Sequence, residues 1–148
     1  IEISFNLNEE ELTLPNFQND KEITIKFLNH ACLIFESENL KFATDPWIVG
    51  GAFNNGWWLK YESPENAFKE LNSCNFIFIS HTHPDHLHEE SLSKIRRDMV
   101  MYTTNFESKS SEEHLKSLGF KNIKIIDHDI GYIDEINEFY FSPLKSGG

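Results

Sequence analysis

Long apolar runs are missing from this 148-residue chain. Crossing a bilayer as a helix takes roughly 20 consecutive apolar residues, whereas runs such as Phe76 to Ile79 have the length of buried strands, so a membrane-spanning role is not expected. Positive charge is also scarce. Thirteen Lys and Arg stand against 24 Asp and Glu, a formal net charge of −11, which repels a nucleic-acid backbone and argues against polyanionic partners. A small anionic substrate is still compatible with this balance, because a metal and a few basic side chains can reverse the field locally. Only two cysteines occur, Cys32 and Cys74, both in strand-like apolar contexts that suit reduced core residues and a cytoplasmic setting. The start, Ile1-Glu2-Ile3-Ser4-Phe5, has no initiator Met, basic segment or apolar core of a secretory signal, so a trimmed chain is expected. Repeats and low-complexity segments are absent too.

The length fits one domain or part of one. Residues 1–22 read as an acidic, irregular lead-in, with Glu9-Glu10-Glu11 and Pro15. From residue 23 to 148 the pattern is that of a domain. Ile23 to Leu28, Ala31 to Glu36 and Leu40 to Thr44 predict an antiparallel meander, with Ser37-Glu38-Asn39 as a turn. The stretch from Gly50 to Trp58 predicts a binding loop without regular structure. Ser63-Pro64-Glu65 predicts the N-cap and first turn of a helix running to about Leu71. Phe76 to Ile79 then predicts a central strand. After it, helices over Glu89 to Arg97 and Ser110 to Leu118 alternate with strands over Met99 to Thr103 and Asn122 to Ile126. The expected class is α/β, a mixed β-sheet with helices on its outer face.

The chemistry concentrates in His81-Thr82-His83-Pro84-Asp85-His86, directly after the central strand. If the chain stays extended, His81 and His83 point to one side and reach one cation. Pro84 turns the chain and aims Asp85 and His86 at a second point a few ångströms away. Nitrogen and carboxylate donors suit two divalent ions, zinc first, with iron or manganese as alternatives. Water bound to such ions is a nucleophile at neutral pH, and Asp85 is the candidate to orient it as the catalytic residue. Three histidines and an aspartate within six residues are hard to explain as backbone-bonded loop residues, since burying them costs free energy without a metal.

Ser80-His81-Thr82-His83-Pro84-Asp85-His86-Leu87 resembles the signature loop of the metallo-β-lactamase superfamily. The resemblance implies the N-terminal half of an αββα sandwich, with His81 and His83 on a first metal and Asp85 and His86 on a second. Asn29-His30-Ala31-Cys32-Leu33-Ile34-Phe35 with Ala43-Thr44-Asp45-Pro46-Trp47 is similar to the opening of the L-ascorbate-6-phosphate lactonase and phospholipase D-like branch. Gly51-Ala52-Phe53-Asn54-Asn55-Gly56-Trp57-Trp58-Leu59 looks most like a stretch of the CMP-N-acetylneuraminate hydroxylase family, whose members carry a Rieske-type region elsewhere. By this resemblance His30 and Asp45 support the ligands from behind. The family takes further ligands from a second half of the fold, so the chain is expected to stop short of that half, and a partner chain supplying it or a degenerate domain without the chemistry are the alternatives.

Trp57 and Trp58 are candidates to stack on a sugar or nucleotide ring, or else core anchors. His88 is expected as an exposed histidine at a helix start, and His114 and His128 as surface residues. Lys60 and Lys145 are the nearest candidates for an anion, against the plainer reading as solvated lysines. Three functions are carried forward. The first is a metal-dependent hydrolase of a small phosphorylated, nucleotide-linked or lipid-like ester. The second is an oxidoreductase working with a Rieske centre, and the third a non-catalytic half-domain that assembles with a partner. The partner expected is a small-molecule substrate, with a homo-oligomer as an option.

Overall fold

The computed structural model describes residues 22–105 and 109–127 and, as backbone, the strands β9 (Tyr132–Asp134) and β10 (Phe139–Phe141). The lead-in up to residue 21, His128 and Lys145 lie outside the described residues. Among the described residues no helix is long and apolar enough to cross a membrane.

Six strands make the main sheet, in the order β1 (Thr24–Asn29), β2 (Cys32–Glu36), β3 (Lys41–Thr44), β6 (Phe76–Ile79), β7 (Val100–Thr104), β8 (Asn122–Ile126). The first three pair antiparallel, as the short turns between them require, and β3, β6, β7 and β8 pair parallel. Each parallel step is bridged by a helix: α1 (Ala67–Asn72), α2 (Glu89–Ser93) and α3 (Ser110–Ser117). Three right-handed crossovers that advance in one direction put their helices on the same face of the sheet. The core follows from this. Cys32, Ile34, Ala43, Ile77, Ile79 and Met101 point to that face and pack with Leu71, Leu92 and Leu115 of the helices. Emptying one such site, as in Leu71→Ala, costs about 2–5 kcal/mol.

The opposite face is aromatic. Register places Phe35 beside Phe42 and Phe42 beside Phe76, and their rings stack at centroid spacings of 4.8 Å, continued edge-on by Tyr102. Phe76 is thus buried from this side and Ile77 from the other, which explains the uninterrupted apolar run of β6.

Several boundaries differ from expectation. Helix α1 begins at Ala67, not at Pro64, because the Ser63 hydroxyl is engaged by Asn29 Nδ2 at 3.0 Å and caps nothing. Helix α2 ends at Ser93, and Arg97 reaches back to the carbonyls of Leu92 and Ser93. The stretch after Gly50 is not irregular: β4 (Gly51–Ala52) and β5 (Trp57–Trp58) form a small hairpin. Its turn holds three consecutive left-handed residues, Phe53, Asn54 and Asn55. The close approach suits Gly51, since a Cβ there would fall 2.6 Å from Asn55 Oδ1 and 3.1 Å from Asn55 Cα.

Candidate metal centre

In parallel sheets the carboxyl ends of neighbouring strands lie side by side, and loops leaving them converge. Asp45 leaves β3, and Ser80 to His86 leave β6, with Asp45 N bonding the Phe78 carbonyl at 3.0 Å. Because β2 runs antiparallel to β3, the tight β1–β2 turn that carries His30 reaches the same edge. His30 and Asp45 both adopt left-handed backbone, with φ of 46° and 36°. Such strain persists only where surrounding contacts hold it. Here the Asn29 side-chain carbonyl accepts from His30 N (3.0 Å), and the Asp45 carbonyl accepts from Trp47 N (2.9 Å).

Asp45 is the hub. Its Oδ1 accepts from Ser80 N at 2.7 Å, while Oδ2 accepts from the Ser80 hydroxyl at 2.7 Å and from His86 Nδ1 at 2.9 Å. With its proton given to Asp45, Ser80 Oγ accepts from His81 Nδ1 at 2.9 Å. Both rings are therefore set with the proton on Nδ1 and a lone pair on Nε2, the state a metal ligand needs. The hydrogen bond to Asp45 raises the pKa of His86, whereas burial, reinforced by the charges of His86 and His83, lowers that of His81.

Asp85 is 7% exposed, and its Oδ1 is buried without a hydrogen-bond partner among the described residues. Oδ2 lies 3.4 Å from His30 Nε2 and 3.6 Å from His86 Nε2. Donor atoms of His30, Asp85 and His86 all fall within 4.8 Å of one another, a spacing that can hold a metal ion. An unpartnered buried carboxylate oxygen is costly unless a cation completes it, so the donor set fits a divalent metal. His81 and His83 stand beside this group, with ring centroids 4.5 Å apart, and His81 lies 4.1 Å from His86. His30 thus sits closer to the ligand group than the supporting position expected for it.

Two loops frame the centre. Phe53 of the β4–β5 turn meets His83 (6.3 Å) and Trp57 (4.9 Å) edge-on. Trp57 and Trp58 are 56% and 66% exposed, so they are not core anchors; Trp47 is, at 2%. His88 overturns expectation: it is 5% exposed. Its Nδ1 accepts from Ser91 N (3.2 Å) as the cap of α2, and its Nε2 donates to the Gly51 carbonyl (3.2 Å), fastening the hairpin to the helix. Histidine is not a customary capping residue, so no sequence signal marked it. Ser80 and Asn29 were also missed as site residues, although each adjoins a histidine in the quoted motifs. Cys32 and Cys74 are unpaired in the core, and burial pushes the Cys74 thiol up to about 11.

Comparison with known proteins agrees with this fold. A family model described as "Beta-lactamase superfamily domain" matches residues 24–143. The chain belongs to that superfamily. Among curated proteins, cytidine monophosphate-N-acetylneuraminic acid hydroxylase of Danio rerio is 39% identical over 87 residues, 57% of this chain and 15% of that protein. The inactive human (Homo sapiens) counterpart is 38% identical over 89 residues, 58% of this chain and 18% of that protein. The superfamily member described here thus aligns with less than one fifth of these relatives.

Among solved structures, isothiocyanate hydrolase from Delia radicum gut bacteria superposes with a TM-score of 0.59 at 20% identity, covering 76% of this chain and 43% of that one. CmlA, a diiron β-hydroxylase from Streptomyces venezuelae, gives 0.58 at 20% identity, covering 77% and 22%. The fold is that of the metallo-β-lactamases, shared by hydrolases and hydroxylases alike.

Proposed function

We propose that this chain is the metal-binding part of a hydroxylase acting on a nucleotide-linked sugar. The observation that carries the reading is the group His30, His86 and Asp85, two imidazoles and one carboxylate within 4.8 Å. Two histidines and a carboxylate with open positions are the donor set of non-haem iron oxygenases. The 39% identity to a hydroxylase of a cytidine monophosphate sugar supports the substrate class. His81 and His83 would contribute to holding a second ion.

Iron bound there would supply the reduction of dioxygen: one oxygen atom enters a C–H bond and the other leaves as water, with two protons from solvent and two electrons passed one at a time from an external electron donor through a Rieske-type cluster outside this chain. The protein's own residues do the positioning. Asp45 and Ser80 hold the Nδ1 sides of His86 and His81, which leaves each Nε2 as the atom to bind a metal. Phe53 stands edge-on beside the exposed His83 ring.

A second reading, hydrolysis of a small phosphorylated, nucleotide-linked or lipid-like ester on zinc, is favoured by the same two imidazoles and carboxylate, a set that also suits zinc with a position left for water. Element analysis of the full-length protein, followed by incubation with a cytidine monophosphate sugar under oxygen and an electron donor that reduces the Rieske-type cluster, separates the two. Iron with oxygen uptake and a product heavier by one oxygen is expected. Zinc with release of cytidine monophosphate and no oxygen uptake would replace the first reading by the second, and a folded full-length protein without metal would end both.

A further inference from the structure

Exposed large apolar side chains concentrate beside the metal centre. Phe27, Trp57, Trp58 and Tyr61 are each more than half exposed and line one open cavity of about 540 Å³ together with His30 and Lys60. Aromatic surface left wet in a cluster, unlike single exposed residues, marks a place where something docks. His30 belongs to both compartments: it lines the cavity, meets buried Trp47 edge-on at 5.0 Å, and lies 3.4 Å from Asp85. Asn29 mounts the two together. Its amide donates to the Tyr61 carbonyl (2.8 Å), and its side-chain oxygen accepts from His30 N (3.0 Å).

We propose that this bay holds the nucleobase of the substrate, with the Lys60 ammonium taking the phosphate beside it. The inference rests on the nucleotide-linked reading above and adds the place and the residues. Planar bases stack on aromatic faces with little demand on sequence or hydrogen bonding, which suits a bay walled by indole and phenol rings. Lys60 is the lysine of that lining, with Nζ 5.3 Å from the Tyr61 ring. In a chain of net charge −11, an anionic substrate needs such a local cation. A base stacked there leaves the attached sugar to extend past His30 toward the metal ligands.

The metal-loaded full-length protein is titrated with cytidine monophosphate and, separately, cytidine, with metal content measured in each variant. Trp57→Ala/Trp58→Ala is expected to weaken both ligands by roughly tenfold, at unchanged metal content. Trp57→Phe/Trp58→Phe keeps the rings and should restore most of the affinity. Lys60→Ala should weaken cytidine monophosphate several-fold and leave cytidine unaffected. Wild-type binding that the double alanine variant retains in full would overturn the bay while leaving the nucleotide reading intact. A metal-loaded wild type that binds neither cytidine monophosphate nor its sugar conjugates would remove both.

Discussion

The two loops that frame the centre are built in opposite ways. The histidine loop leaves a buried strand and is cross-braced: Asp45 binds Ser80 and His86 through three hydrogen bonds, and Ser80 in turn fixes His81. The β4–β5 hairpin pairs only two residues per strand, turns through three left-handed residues, and leaves Trp57 and Trp58 in solvent. One loop has its conformation determined before any ligand arrives; the other offers surface that a ligand would complete. That division suits a site whose chemistry requires fixed donor geometry and whose recognition tolerates adjustment.

Breaking the braced loop should have the largest effect. Asp85→Ala and His83→Ala in the full-length protein are each expected to reduce turnover to background while far-UV circular dichroism stays native; wild-type rates in either would sink the ligand assignment. Asp45→Asn attacks the brace rather than the ligands, and metal affinity should fall about 10–100-fold, read by competition with a chelator. The same variant should lower the pH at which His86 titrates in the metal-free protein, measured by NMR, because the bond that raises its pKa is weakened.

At the junction between the loops, His88→Ala removes a helix cap and the tie to Gly51. Stability should drop by about 1–2 kcal/mol in a urea melt, with metal content unchanged; metal loss instead would place His88 with the ligands. The smallest effect belongs to the hairpin turn. Asn55→Gly relieves left-handed strain but loosens the unfolded chain, so the net change should stay within about 1 kcal/mol.

The braced loop was also the legible one. Strand β6 follows from an apolar run matched by burial on both faces, and the histidine run announces its donors by residue type alone. Residue type and period could not convey convergence in space, and only the resemblance brought His30 and Asp45 near the ligands. His30 lies more than fifty residues from Asp85, and only the pairing of β2 with β3 brings its turn to the carboxyl end of β6. The hairpin escaped notice because two-residue strands carry no period, although Asn54-Asn55-Gly56 is turn chemistry. The start of α1 was misplaced because Ser63, a fair cap by type, is claimed by a tertiary contact.

The bond between Asp45 and Ser80 spans two neighbouring parallel strands, so the donors keep their aim only while β3 and β6 keep their register. A metal held there would be thermodynamically linked to the integrity of the sheet. Each tenfold excess of free metal over its dissociation constant adds about 1.4 kcal/mol to the folded state. A chelator would consequently lower the melting temperature of the whole sheet, and a cavity opened at Ile77 in the core would lower the temperature at which a bound metal is released.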